Sequence, residues 1–251
     1  MQPTERFSSR ADHYARYRPD YPAAAVALLA ARCGLRPGTV VAELGSGTGI
    51  LTRHLLARGA QVLAVEPNQA MRATAEAALQ GEPGFHSVPG SAEATTLAAA
   101  SVDLIVAAQA FHWFDVERAR AEALRVVRPG GWAALLWNER VRAGDPFMDD
   151  YEKLLREHAA EYAAITASRA DEPAMRRFLG GEMQAAYFPN AQRLDLAGLW
   201  GRVQSASYAP EPGSAQYEPL QRGLAQLFAR HAREGCVRYP YETRVYFAPL
   251  R

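Results

Sequence analysis

Along the first 140 positions, short β-branched apolar runs alternate with longer stretches whose apolar residues recur three and four apart. The short runs predict strands at Thr39 to Leu44, Gln61 to Val65, Gly84 to Val88, Val102 to Ala107 and Trp132 to Trp137. Helices are predicted between them, at Pro22 to Cys33, Ile50 to Arg58, Gln69 to Gln80 and Val116 to Val127. Strand and helix in regular alternation is the pattern of a doubly wound parallel sheet, so the fold class is α/β. Breakers fall where this pattern needs them: Arg36-Pro37-Gly38, Gly59 and Arg128-Pro129-Gly130-Gly131.

Beyond Asn138 the pattern changes. A charged stretch leads into a predicted helix from Phe147 to Ala167 and a mixed segment to Gly181, which together could form a lid. A strand at Met183 to Phe188, helices at Leu196 to Gln204 and Tyr217 to Glu234, and a last strand at Arg238 to Phe247 follow. The period-2 series Tyr239, Tyr241, Thr243, Val245, Phe247 predicts that this last strand is half-buried and pairs back into the sheet. With no internal repeat or low-complexity linker, we expect one domain: an N-terminal lid and first helix (1–35), a core (36–138), a helical lid (139–182) and C-terminal completing elements (183–251).

Composition narrows the function. A chain of 251 residues with 49% hydrophobic and 22% charged content has enough apolar surface to bury its own core. Its net charge of +1 argues against a nucleic-acid partner. No apolar run reaches the roughly 18 residues of a membrane span, and the N-terminus lacks a signal-peptide core, so we expect a cytoplasmic chain with no membrane partner. Cys33 and Cys236 lack any metal-ligand or disulfide-framework spacing, and the histidines have no metal spacing either, so no metal is expected.

The informative chemistry lies in Val41-Ala42-Glu43-Leu44-Gly45-Ser46-Gly47-Thr48-Gly49-Ile50-Leu51, a strand that turns through glycines into a helix. Glycines permit positive φ and a close ligand approach, and the helix N-terminus presents N–H groups. A dinucleotide site needs G-x-G-x-x-G, but the sixth position here is Ile50 and the third glycine is displaced to Gly49. Glu43 at a ligand-facing strand end would repel a pyrophosphate and accept from an ammonium, so the ligand should carry a positive group. Glu66 stands 17 residues past Gly49, at the tip of the second strand, where a carboxylate can take two hydrogen bonds from a ribose diol.

These residues resemble the class I S-adenosylmethionine-dependent methyltransferases. The family's first motif, E/D-x-G-x-G-x-G, matches Glu43, Gly45, Gly47 and Gly49, and Glu66 matches its ribose-binding acid. Gly90-Ser91-Ala92-Glu93 resembles the segment that edges the adenine, and Leu124 to Gly131 the turn before strand five. Tyr14 to Pro22 and Ala108 to Phe114 look like the small-molecule members of the methyltransferase type 11 family. The resemblance implies a seven-stranded Rossmann-like sheet of order 3-2-1-4-5-7-6 with strand 7 antiparallel. It also implies S-adenosyl-L-methionine as cofactor, a small-molecule methyl acceptor, and a monomer or homodimer. The cofactor-side residues it implies are Tyr14, Glu43, Gly45, Ser46, Gly47, Gly49, Glu66, Pro67, Met71, Ser91, Ala92, Glu93, Gln109 and Phe111. Many relatives have Asp or Asn where this chain has Ser91, so Ser91, Glu93 or a backbone carbonyl is left to meet the adenine amino group.

Methyl transfer from a sulfonium asks the protein mainly for alignment. His112, in the loop after strand four, is the candidate general base where the acceptor must lose a proton; the alternative is a histidine that shapes the pocket. Trp113 and Phe114 offer an aromatic wall toward the acceptor, and aromatic faces attract cations. Tyr17 and Arg18 are acceptor-side candidates in a segment that either folds over the cofactor or is a surface strap held by its tyrosines. Two rival functions remain at this point: a nicotinamide-dependent oxidoreductase and a non-catalytic binder of the same cofactor.

Overall fold

The computed structural model describes residues 15–142, 144–159, 162 and 172–251, so Tyr14 lies outside the described residues. In chain order the elements are α1 (Ala23–Arg32), β1 (Val40–Leu44), α2 (Ile50–Leu56), β2 (Gln61–Val65), α3 (Gln69–Ala78), β3 (Phe85–Val88), β4 (Val102–Ala108) and α4 (Val116–Val126). After these come β5 (Val127–Arg140), α5 (Pro146–His158), α6 (Glu172–Leu179), β6 (Gln184–Leu194), α7 (Leu196–Gln204), α8 (Tyr217–His231) and β7 (Val237–Pro249). The seven strands form one sheet of order β3-β2-β1-β4-β5-β7-β6. β1 to β5 run parallel, and β7 pairs antiparallel with both β5 and β6. Fold class, strand order and the reversed strand therefore agree with expectation.

Local chemistry starts the helices where it should. Asn68 caps α3 by accepting from Met71 N at 3.0 Å, Asp145 caps α5 through Phe147 N and Met148 N with Pro146 at the first position, and Asp195 caps α7 through Gly198 N. Each cap contributes about 1 kcal/mol relative to alanine.

Alternate residues of each strand face opposite layers. Ile105, Ala107, Ala133 and Leu135 pack with α4 and α6 on one face. Leu104, Val106, Ala134 and Leu136 pack with α1 and α2 on the other. A third apolar cluster joins α5, α7 and α8 to the outer ends of β6 and β7. The predicted period-2 series in β7 is buried throughout, from Tyr239 to Phe247.

The departures from expectation have physical causes. β5 runs to Arg140 rather than Trp137, because β7 pairs with it as far as Arg140↔Tyr241 and so satisfies a polar stretch. β6 runs to Leu194 rather than Phe188; it is an edge strand with alternating exposure, which tolerates Pro189 and a polar sequence. The helix expected to reach Ala167 ends at His158, and the segment to Gly181 contains a helix, α6, that periodicity missed. Among the described residues no helix is long and apolar enough to cross a membrane.

Candidate active site

At the carboxyl ends of β1 and β2, the segment from Gly45 to Gly49 turns from β1 into α2 with positive φ at Gly45, Gly47 and Gly49. The three glycines answer to different neighbours. A Cβ at Gly45 would sit 2.5 Å from Ala110 Cβ, which packing forbids, and one at Gly49 would sit 2.9 Å from a Leu79 methyl that would have to move aside. A Cβ at Gly47 would meet nothing within 4 Å, which marks the open face of the turn.

Four of the five amides in this turn are engaged inside the protein. Gly45 N and Ser46 N donate to Val65 O at 2.8 and 3.1 Å, Gly49 N to Ser46 O at 3.0 Å, and Gly47 N to Glu66 Oε2 at 2.9 Å. The turn's own amides are therefore largely spent within the protein.

The two carboxylates have separate tasks. Glu66 is buried at the tip of β2, with Gly47 N on one oxygen and Asn68 N on the other at 2.8 Å. Each oxygen keeps a second lone pair, so the group can still accept from a vicinal diol. Burial raises its pKa, against the opposing pull of the Asn68 and Gly47 amides and Arg72. Pro67 follows it, with its carbonyl accepting from Arg72 at 3.0 Å. Glu43 lies beneath the turn, 1% exposed, where Thr52 Oγ1 donates to it at 2.6 Å. It is an internal brace rather than the ligand-facing acceptor that its strand position suggested. Burial, with the neighbouring Glu66 charge, pushes its pKa up to about 8 despite the Thr52 hydrogen bond.

Around this turn the structure gathers most of the remaining cofactor-side candidates. Met71 is buried in the first turn of α3. Ser91 and Ala94 exchange backbone hydrogen bonds around the buried Ala92, and Glu93 Oε1 accepts from Asp115 N at 2.9 Å. The Glu93 carboxylate thereby fastens the start of α4, which leaves Ser91 and the backbone as the freer groups of that segment. Gln109 holds φ +57, costly for a non-glycine residue, and its amide donates to Asn138 O at 3.1 Å. Phe111 is a correction: it is 1% exposed in the core, edge-on to Phe178 at 5.2 Å and Trp137 at 6.1 Å, so its ring supports the wall from behind.

The loop after β4 touches the glycine turn through Ala110 and the Phe114 ring, whose edge lies 4.0 Å from the position of a Gly45 Cβ. His112 is half-buried in that loop, 4.8 Å from the Trp113 ring, and Trp113 is 38% exposed. Tyr17 and Arg18 contact a different region. The Tyr17 ring lies so close over Gly201 of α7 that a Cβ there would sit 2.3 Å from it, and Arg18 Nη2 donates to Ser205 O at 2.8 Å. The segment they begin then crosses the carboxyl edge: Asn138 Nδ2 donates to Asp20 O at 3.3 Å, and His54 of α2 meets Asp20 Oδ1 at 2.5 Å.

Sequence reasoning missed Thr48, whose hydroxyl is buried in the turn with no partner among the described residues; its place between Gly47 and Gly49 was the available signal. It also missed Asn138, Arg140 and Arg202, polar residues set in apolar surroundings at the carboxyl edge. Cys33 is buried, which raises its thiol pKa to about 12 and makes a thiolate nucleophile there unfavourable. A cavity of about 500 Å³ opens at the opposite, amino-terminal edge of the sheet, between Arg36, Asp103, Arg128 and Trp132. There Arg128 pairs with Asp103 at 2.6 Å.

Residues 42–135 match a family model described as a methyltransferase domain. An uncharacterised methyltransferase of Mycobacterium tuberculosis is 42% identical over 134 residues, 53% of this chain and 52% of that protein. The chain thus spans about half the length of this curated relative. An uncharacterised methyltransferase-like protein of Schizosaccharomyces pombe is 26% identical over 225 residues, 88% of this chain and 85% of that one. Among solved structures, a type II methyltransferase candidate from Anaeromyxobacter dehalogenans shares the fold with a TM-score of 0.66 and 22% identity, covering 93% of this chain and 98% of that one. The matched segment, which contains the glycine turn, β2 and the loop after β4, is thus similar to a methyltransferase domain.

Proposed function

We propose that the protein transfers a methyl group from S-adenosyl-L-methionine to an oxygen or nitrogen nucleophile of a small organic molecule. The observation that carries this reading is the pairing of Glu66 with the open face of Gly47: a buried carboxylate with spare lone pairs beside the one loop glycine whose missing Cβ leaves space. Residues fit the cofactor in other respects too. The orphaned Thr48 hydroxyl offers a further polar contact, and Met71 and the Ser91-Ala92 segment offer an apolar and a backbone edge for an adenine.

When bound, the cofactor supplies an electrophilic methyl carbon on a sulfonium sulfur. The chain's own part is to hold and align. Glu66 and the Gly47 face fix the donor, Gln109 ties the loop after β4 to the end of β5, and Phe114 and Trp113 exclude water from the approach. An acceptor that is already ionised needs no base. One that must lose a proton would find His112 at the carboxyl edge.

Glu66→Ala is expected to weaken binding of the cofactor or of S-adenosylhomocysteine by about 30- to 150-fold, the equivalent of about 2–3 kcal/mol for losing a charged double acceptor. Isothermal titration calorimetry checks this, and an unchanged affinity removes Glu66 from the site. His112→Gln is expected to leave that affinity within about twofold, because this reading assigns the ring to the acceptor and not to the cofactor. Turnover is read by incubating metabolite extracts with labelled cofactor and scoring one-methyl mass gains. A drop of about a hundredfold in the variant, with loss of the acidic limb of the pH profile, assigns the general base.

A further inference from the structure

Past the carboxyl edge of the sheet, the third apolar cluster encloses charges that the methyl-donor side does not use. Arg140 stands four residues beyond the Ala108↔Leu136 pair on β5, about 13 Å further out at strand rise. It is buried, and its charge is matched by Glu152 of α5 at 3.0 Å. Arg202 of α7 is also buried, at 5% exposure, but its partners are neutral: Tyr241 OH at 2.8 Å and Ser205 Oγ at 3.3 Å. Its guanidinium otherwise lies over the Tyr239 and Tyr241 rings at 5.6 and 5.9 Å. Among the described residues no carboxylate comes within ion-pair distance of Arg202.

A buried cation with only neutral partners costs several kcal/mol unless something repays it. Two more observations point to an acceptor-rich ligand. The Tyr151 hydroxyl, wholly buried beside Arg140, has no hydrogen-bond partner among the described residues. Burial raises the Tyr208 pKa, yet Arg140, Arg202 and Arg18, against Glu152, together hold it below the ordinary value, consistent with the unmatched Arg202 charge beside it. The cluster is also joined to the chemistry. Arg18 bonds Ser205 O, the next residues of its strap are held by Asn138, and the Asn138 carbonyl takes the Gln109 amide two residues before Phe111.

We propose that Arg202, flanked by Arg18 and Tyr151, is the anchor for an oxyanion on the methyl acceptor, so that the substrate is a small molecule bearing a carboxylate or a phosphate. This rests on the methyltransferase reading for the word acceptor, while the anion site stands on its own geometry. The anionic end occupies the cap formed by α5, α7 and the outer strand ends, and the nucleophilic end turns back toward the loop of His112.

The experiment measures melting temperature and calorimetric binding of S-adenosylhomocysteine on the full chain and on Arg202→Met, with inorganic phosphate and with citrate as probes. At a few times Kd, at least one probe should raise the wild-type melting temperature by roughly 2–4 °C. Arg202→Met should lose that rise, bind S-adenosylhomocysteine within about twofold of wild type, and melt no lower than wild type in plain buffer, since it removes an uncompensated charge. A response to phosphate alone assigns a phosphorylated acceptor, and to citrate alone a carboxylic acid. Equal shifts in both proteins, or none in either, overturn the proposal, because general exclusion of these salts acts on both alike. A variant that melts well below wild type marks Arg202 as a structural group and also overturns it. A wild type that responds to an oxyanion but not to S-adenosylhomocysteine refutes the methyl-donor reading and leaves the anion site in place.

Discussion

Arg140→Ala should lower the unfolding free energy by about 3–5 kcal/mol, the usual consequence of removing one partner from a buried ion pair. The cause lies in what is left behind. Glu152 stays buried without its counter-charge, and Tyr239 OH loses the donor that reaches it at 3.1 Å. Tyr162, which bridges Arg140 and Glu152 through its hydroxyl, loses the guanidinium that donates to it. Urea denaturation followed by circular dichroism reads the loss directly. The double variant Arg140→Met, Glu152→Leu should recover most of it, because two apolar side chains remove both charges at once. A single variant within 1 kcal/mol of wild type would show that the pair is solvated in solution, and would remove the basis for reading this cap as a dry, positive interior.

The second large effect concerns Glu43 and is a matter of pH. The folded chain keeps this carboxyl protonated up to about pH 8, whereas the unfolded chain releases the proton near 4.5. Between those values the folded state binds a proton that the unfolded state does not. Its contribution to stability is therefore complete below pH 4.5, declines as pH rises, and is gone above pH 8. Glu43→Gln cannot ionise and still offers Thr52 an acceptor. Its stability relative to wild type should rise between pH 5 and pH 9, by about 4 kcal/mol at most. Denaturant titrations of both proteins at the two pH values test this. A difference that is the same at both would mean that Glu43 titrates like an ordinary surface carboxylate, and that the turn is more open to water than its burial implies.

These two residues illustrate how unevenly the chain discloses itself. Glu43 and Glu66 were both visible in the sequence as acids at strand tips, but their separate tasks were not. The parallel register Glu43↔Ala64 sets the two strand tips side by side, and only then does it emerge that one carboxyl points under the turn and the other braces Gly47. Phe111 was legible as an aromatic at the right loop; that its ring faces the core followed from α6, whose Met175, Phe178 and Leu179 stand at helical spacing in a run too short to be read as a separate helix. Tyr17 and Arg18 were legible as anchors, but their partners on α7 were not.

The glycine turn and the acid beside it were written in the sequence because their chemistry is local: a strand, a glycine turn and a helix N-terminus are consecutive, and glycine suits the positive φ of such a turn. Strand and helix alternation likewise follows from the residues themselves, and with it the fold class. The buried cluster around Arg140 and Arg202 had no such local trace. Arg18 meets Ser205 across 187 positions, Arg140 meets Tyr239 across 99 and Arg202 meets Tyr241 across 39, so no window of sequence contains the cluster. An arginine in a helix reads as a solvated charge until packing removes the water around it. That removal, decided by how α5, α7 and β7 close on one another, turns Arg202 from a surface cation into a buried charge in want of an anion.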